Sequence, residues 1–507
     1  MNHYDMIVIG TGAANIVLEA AQLAGKRCAQ IERGKFGGTC LTRGCIPTKV
    51  LVTAADRLYE MKEAGDLGLH ADNIRFDWQK ISDRVWHKIN DSIALREFYL
   101  NEPHTDVYDG TAHFVDNHTI EVHHADGTVS EPITADKIFI ATGGKTKIPA
   151  MEGVDDIAYY TSERFFGDMY PKEPFKDIIV VGGGAIGCEF AHIFRAFGAK
   201  VQLVQHNVRL LPKADADCSE ACLQNLLADG ITVYFNKETP AVKKVNGRIV
   251  LTTEDRATGA LDDIEADDLF ICPGIVPATD GLGLENTDIS LDNRGWIRTN
   301  EFLETSVENV YALGDINGRQ QFRHKANYEA DILAYNHYKS QGPTDKRWAR
   351  YDLVPAVTFT HPEVANVGMT EAEAIQRGHH VRIGVNPYAA TAKGYALGFE
   401  PESSHRAFAK LIIDADTNDI LGAHAVGPFA STLIQPFLNL MNSGDTTIVP
   451  LNEDICSEET KRLRRIHLTR TMNPHKAQTV RETMVPHPSL SEVGIWTYYP
   501  LEEQDQS

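Results

Sequence analysis

Two strand–glycine turn–helix units stand far apart in the chain, and they limit its fold more than any other feature. The first runs Tyr4-Asp5-Met6-Ile7-Val8-Ile9, turns through Gly10-Thr11-Gly12-Ala13-Ala14-Asn15 and enters an Ala-rich stretch through Ala24. The second runs Ile178-Ile179-Val180-Val181, turns through Gly182-Gly183-Gly184-Ala185-Ile186-Gly187 and continues as Cys188-Glu189-Phe190-Ala191-His192-Ile193-Phe194. A short apolar strand, a tight glycine turn and a helix N-terminus are what a dinucleotide fold needs. Such units require helices over a parallel sheet, so the chain is α/β. At 507 residues it is too long for one hydrophobic core.

The units differ at the next strand end. After the first, Cys28-Ala29-Gln30-Ile31 ends in Glu32, about 20 residues beyond the glycines, where a carboxylate can accept ribose hydroxyls. Gly10 and Gly12 form the turn, and Asn15 stands where a third glycine would pack helix on strand. In the second unit Gly182, Gly184 and Gly187 complete the fingerprint, and Val201-Gln202-Leu203-Val204 ends in Gln205-His206-Asn207, with Arg209 beyond. A carboxylate there would repel a 2′-phosphate, whereas His206 and Arg209 can contact one. The second unit is therefore read as favouring NADPH, with NADH possible.

Between the units lies Gly37-Gly38-Thr39-Cys40-Leu41-Thr42-Arg43-Gly44-Cys45-Ile46-Pro47-Thr48-Lys49. On a regular helix the two cysteines would be rotated by about 140° and separated by a rise of roughly 7.5 Å. A disulfide wants Cα atoms within about 6.8 Å. Gly44 and Pro47 permit a distorted turn that closes the gap. Two unpaired thiols, or half of a zinc site completed by Cys218 and Cys222, are the alternatives at this level. The eight cysteines are otherwise scattered, unlike a secreted disulfide framework. With 49 Lys and Arg against 70 Asp and Glu, the net charge of −21 argues against nucleic acid and anionic membranes as partners. The N-terminus lacks a basic segment leading into a long apolar run, and no apolar run reaches transmembrane length. A cytoplasmic enzyme without a metal centre is expected.

The Gly-Gly-Thr-Cys-x4-Cys-Ile-Pro-Thr-Lys segment resembles the active-site signature of the class I pyridine nucleotide–disulfide oxidoreductases. Ala141-Thr142-Gly143 resembles the turn joining that family's domains, and Thr305 through Asp315 its second FAD motif. His361-Pro362-Glu363-Val364-Ala365-Asn366-Val367-Gly368 is similar to the start of its dimerisation domain, and His487-Pro488-Ser489-Leu490-Ser491-Glu492 to its C-terminal catalytic motif. The resemblance implies two Rossmann-like dinucleotide-binding domains, for FAD and NAD(P), and a C-terminal α+β dimerisation domain. It places the FAD domain at 1–150 and 275–350, the NAD(P) domain at 151–274, and the dimerisation domain at 351–507 with an insertion at about 445–482.

By the same resemblance, electrons pass from NAD(P)H through FAD to a Cys40–Cys45 disulfide and on to a small-molecule disulfide. Cys45 would face the flavin and Cys40 would attack the substrate as a thiolate. His487, oriented by Glu492, would be the acid/base, supplied across the interface of a homodimer. Lys49 and Glu189 match an ion pair beside the flavin. Gly10, Gly12, Asn15, Glu32, Gly38, Thr39, Lys49, Thr142, Gly143 and Asp315 are the expected FAD contacts, and Gly182, Gly184, Gly187, Gln205, His206, Arg209 and Gly274 the expected nicotinamide-cofactor contacts. Ala185, Ile275 and Thr432 depart from an aromatic, an arginine and a glutamate found in other members.

Gly10-Thr11-Gly12-x-x-Asn15, the segment 82–89 and Ala430-Ser431-Thr432-Leu433-Ile434-Gln435-Pro436 resemble the mycothione reductases most, with dihydrolipoamide dehydrogenase next and glutathione reductase also similar. A redox-sensing flavoprotein without turnover is the reading from another class. Its docking surface would be the basic stretch Lys461, Arg462, Arg464, Arg465 and Arg470. That stretch reads first as a solvated face. Because it leads into His487, it is also a candidate for attracting an anionic disulfide.

Overall fold

The computed structural model describes residues 2–498; Met1 and residues 499–507, the end of the expected third domain, lie outside them. The apolar run before Gly10 becomes the strand Asn2–Ile9 inside a seven-stranded sheet. It pairs in parallel with Cys28–Glu32 on one side and Ile133–Ile140 on the other, and helix Asn15–Leu23 makes the crossover between the first two. Val310–Ala312 comes back from far along the chain to pair in parallel with Ile133–Ile140. That return brings Gly314 and Asp315 to the cavity above the first glycine turn.

Asp177–Val181, Lys200–Val204, Thr232–Tyr234 and Asp268–Ile271 form a four-stranded parallel sheet below the second glycine turn. Phe190 and Phe194 of helix Ala185–Ala196 pack ring against ring with Phe165 and Phe270, fixing that helix to its sheet. Such ring pairs contribute about 0.5–1.5 kcal/mol each beyond the area they bury. An antiparallel meander, Lys237–Val245, Arg248–Asp255 and Leu261–Ala266, follows in sequence. From Ala356 onward the chain forms a five-stranded antiparallel sheet in the order Ala356–Thr358, Val364–Gly368, Ile420–Val426, Phe408–Asp414, Val381–Pro387. This is the expected class: two Rossmann-like units with a C-terminal α+β domain. Helices Cys45–Glu63 and Trp78–Asn101 lie between the two units in the chain. Among the described residues, no helix is long and apolar enough to cross a membrane.

The region anticipated as an insertion opens as a hairpin arm. Gly444–Thr447 pairs with Thr469–Met472, so helix Glu458–Arg465 projects between two strands and the chain leaves beside where it entered. Leu463 of that helix packs with Phe302 and Trp348, and Arg464 reaches the fully buried Glu301 at 2.6 Å. The solvated-face reading therefore fails at Arg464. Arg470 pairs with Glu482 and Lys461 with Glu458, which leaves Arg462 and Arg465 as the exposed remainder of an expected cationic surface.

Candidate active site

Helix Gly38–Thr42 carries Cys40 and stops; helix Cys45–Glu63 starts at Cys45. Arg43 and Gly44 between them leave helical backbone. A Cβ at Gly44 would lie 3.0 Å from the Thr39 carbonyl oxygen, so a side chain there would push the two turns apart. This is the distorted turn anticipated between the cysteines. Both thiols are free, with Cys40 buried and Cys45 partly buried. They share a proton unequally. The hydrogen bond from Cys40 holds Cys45 well below the usual thiol range, while the same bond and burial hold Cys40 well above it. One turn along, Lys49 Nζ lies 2.6 Å from Glu189 Oε2, and Glu189 Oε1 accepts the Phe359 N–H at 3.0 Å.

His487 Nε2 lies 3.1 Å from Cys40 Sγ, and its Nδ1 lies 2.6 Å from Glu492 Oε1. The other Glu492 oxygen accepts the Ser489 N–H at 3.1 Å, which fixes the carboxylate. Burial opposes the charged imidazole, but hydrogen bonds to Cys45 and Glu492 outweigh it and raise His487 to about 9. His324, which no sequence motif singled out, stands behind it. The His487 N–H donates to His324 Nδ1 at 3.3 Å, and His324 Nε2 donates to the Pro355 carbonyl at 2.8 Å. Burial pushes His324 down to about 4 and keeps it neutral, as that bonding requires. One ligand atom each from Cys40, Cys45 and His487 lies within 4.8 Å of the others, a set that also suits a thiophilic ion.

The resemblance implied that His487 and Glu492 reach the site from a partner subunit. In the structure they close on the cysteines of their own chain. After the hairpin arm, the tail is held by Asn442 Nδ2 donating to Thr483 Oγ1 at 2.9 Å and Gln435 Nε2 donating to the Met484 carbonyl at 3.3 Å. Arg347 grips Glu482 at 3.1 Å, and the His324 bond completes the path.

A cavity of about 1060 Å³ runs past the cysteines and joins both glycine turns. Gly10, Gly12, Glu32, Gly38 and Thr39 line one end of it, and Thr142, Gly143 and Asp315 lie further along. These residues fit FAD. Asp315 is a half-buried carboxyl whose proton affinity burial raises to about 6, and Thr142 Oγ1 is buried without a hydrogen-bond partner among the described residues. Lys325, Glu329 and Asn317 form a fully buried network around the Gly314 backbone, which positions Asp315. Asn15 is a correction. Its Oδ1 accepts Gln30 Nε2 at 2.9 Å, and it does not line the cavity.

Gly184, Arg209 and Gly274 line the far end of the cavity; Gly182, Gly187, Gln205 and His206 do not. At Gly187 a Cβ would sit 1.7 Å from the Gly182 carbonyl oxygen, so that glycine permits helix to pack on strand. Gln205 is buried: its Oε1 accepts the Gly183 N–H at 3.0 Å and its Nε2 donates to the Arg209 carbonyl at 2.9 Å. The residue expected to face a ribose instead braces the turn. One further network had no sequence signal. The row His192–Asp56–His361–Glu63–His405–Asp229, with successive contacts of 3.0, 3.5, 3.2, 3.5 and 3.1 Å, ties the Cys45 helix to the second unit and the C-terminal sheet.

Known proteins place this arrangement. Residues 4–330 match the family model described as pyridine nucleotide-disulphide oxidoreductase, and residues 354–460 match that family's dimerisation domain. The mycothione reductase of Mycobacterium tuberculosis is 33% identical over 88% of this chain and 94% of its own length. The dihydrolipoyl dehydrogenase of Bacillus subtilis is 32% identical over 85% of this chain and 90% of its own. Among solved structures, the Cu(II) complex of the HOCl-induced flavoprotein disulfide reductase RclA from Escherichia coli superposes with a TM-score of 0.74 at 27% identity, covering 99% of this chain and all of that one. The chain belongs to the class I pyridine nucleotide–disulfide oxidoreductases, enzymes that couple NAD(P)H, FAD and a disulfide.

Proposed function

We propose that this enzyme is a homodimeric, NADPH-dependent reductase of a small-molecule disulfide, most like the mycothione reductases. The observation that carries the reading is the contact of His487 Nε2 with Cys40 Sγ at 3.1 Å, with Glu492 holding the far side of the imidazole at 2.6 Å. Bound FAD supplies the redox relay between nicotinamide and dithiol. Glycine turns and Asp315 would hold it, and the Lys49–Glu189 pair stands where the cavity passes the cysteines.

The Cys40 proton passes to Cys45, with which it is shared, and the Cys40 thiolate attacks one sulfur of the substrate disulfide. The departing thiolate receives the proton of the His487 imidazolium. The neutral imidazole then takes the Cys45 proton, and the Cys45 thiolate attacks Cys40. That step forms the Cys40–Cys45 disulfide and releases the second substrate thiolate, which receives that proton from His487. Binding of a thiophilic cation by Cys40, Cys45 and His487 competes with this sequence.

Dihydrolipoamide oxidation with NAD⁺ is the second reading, favoured by the 32% identity to a dihydrolipoyl dehydrogenase. The test is steady-state turnover of NADH and NADPH against the disulfides of mycothiol, glutathione, coenzyme A and lipoamide, with Cys45→Ser as the control. The proposal expects the highest kcat/KM with NADPH and mycothiol disulfide, and no turnover by Cys45→Ser while FAD stays bound. Preference for lipoamide and NADH establishes the second reading. Turnover of none of the four returns the chain to a redox sensor.

A further inference from the structure

The strand end of the second unit carries a charge cluster outside the cavity lining. Gln205 is engaged with the glycine turn, so it is not available to a ribose substituent. The next residue, His206, is half exposed, and its Nδ1 lies 3.2 Å from Glu238 Oε1. The same Glu238 oxygen lies 3.3 Å from Arg256 Nε. Arg256 Nη1 also donates to the His206 carbonyl at 3.3 Å.

The backbone holds these residues together although they come from three segments. The Lys237 N–H donates to the Gln205 carbonyl and the Asn236 N–H to the Asn207 carbonyl, each at 3.1 Å; the Arg256 N–H donates to the Asn236 carbonyl at 2.9 Å. The start of the meander and its second hairpin turn are thereby fastened to the strand end where a dinucleotide fold sets its adenosine ribose.

One carboxylate between two potential cations leaves the cluster with room for a second anion. Half-exposed pairs of this kind are worth about 0–1 kcal/mol. A phosphate carrying about −1.5 to −2 charges makes stronger, charge-assisted bonds to the same donors. Resting on the NADPH reading above, we propose that Glu238 is an internal anion holding His206 and Arg256 in place until a 2′-phosphate displaces it. These three residues, rather than Gln205, then set the choice between the two nicotinamide cofactors.

The test needs no turnover. Flavin-loaded protein is titrated calorimetrically with adenosine 2′,5′-bisphosphate and with AMP, with flavin absorbance and Tm as checks that each variant is folded. Arg256→Met is expected to weaken the bisphosphate about tenfold, the size of one charge-assisted bond, and to move AMP less than twofold. Glu238→Gln is expected to tighten the bisphosphate about three- to tenfold, with the gain shrinking as salt is added. Equal effects of Arg256→Met on both ligands overturn the proposal. So does a Glu238→Gln variant that leaves the bisphosphate unchanged or weakens AMP, the latter making Glu238 an acceptor for a ribose hydroxyl. The wild-type ratio of the two affinities is a separate readout. A ratio near one removes the NADPH reading, whereas the response of that ratio to Glu238→Gln judges the clamp.

Discussion

At the first glycine turn, Glu32 Oε2 accepts the Thr11 N–H at 3.0 Å; at the second, Gln205 Oε1 accepts the Gly183 N–H at the same distance. Glu32 ends the second strand of its unit and Gln205 directly follows that of the other, and each braces the middle residue of its turn. Glu32 also accepts Thr11 Oγ1 at 2.7 Å and, through its other oxygen, the Gly34 N–H at 2.9 Å. Gln205 directs its amide nitrogen to the Arg209 carbonyl. An amide and a carboxylate thus hold the same backbone shape. What differs is charge, so the charge at this position is free to vary without loss of the brace: negative at the first turn, neutral at the second.

The working groups between the turns come from neither of them, and their placement predicts the largest effect. Dimers assembled from one Cys45→Ser subunit and one His487→Gln subunit contain no complete site if each chain supplies its own histidine, as the structure has it. No turnover is expected in such mixtures. Recovered activity would return His487 to the partner subunit and leave the glycine turns as the only shared architecture within one chain.

Next in size is Glu32→Gln, which gives the first turn the chemistry of the second. The brace survives but the charge is lost. FAD affinity should fall about 10- to 100-fold, as removal of a charged hydrogen-bonding group worth about 1.5–3 kcal/mol implies. Flavin fluorescence on dilution measures it, and unchanged affinity would break the comparison. The reverse exchange, Gln205→Glu, should shift the NADPH-to-NADH ratio of kcat/KM about tenfold toward NADH through repulsion of the 2′-phosphate. Gln205→Leu removes the brace without adding charge. It should cost about 1 kcal/mol of stability, because a buried N–H loses its acceptor, while the cofactor ratio moves little.

Much of this was legible in the sequence because the features were local. Glycine spacing placed both turns, the Cys40–Gly44–Cys45 spacing forecast a broken helix, and the family resemblance of the segment His487–Glu492 implied their contact. What escaped notice depends on partners distant along the chain. Gln205 read as a ribose contact because nothing in the sequence says that its amide faces the Gly183 N–H. Asn15 read as a cofactor contact, yet it bonds Gln30 on the neighbouring strand. Arg464 looked like part of a solvated run. It faces Glu301, and losing it would leave a buried carboxylate unpaired, a change that generally costs about 3–5 kcal/mol. His324 carried no motif because its role is to hold the backbone of a residue far along the chain.

The central claim is that His487 serves the dithiol and not the nicotinamide step, and stopped-flow measurement of the two half-reactions of His487→Gln tests it most directly. Flavin reduction by NADPH should proceed within about twofold of wild type. Reduction of the substrate disulfide should slow about 10²–10⁴-fold, the usual worth of general acid–base assistance. His487 titrates at about 9 and acts as the proton donor, so the wild-type disulfide half-reaction should decline as pH rises through that value, and the variant should lose that decline. Equal slowing of both half-reactions, or a variant whose disulfide step keeps the wild-type rate and pH profile, would contradict the account.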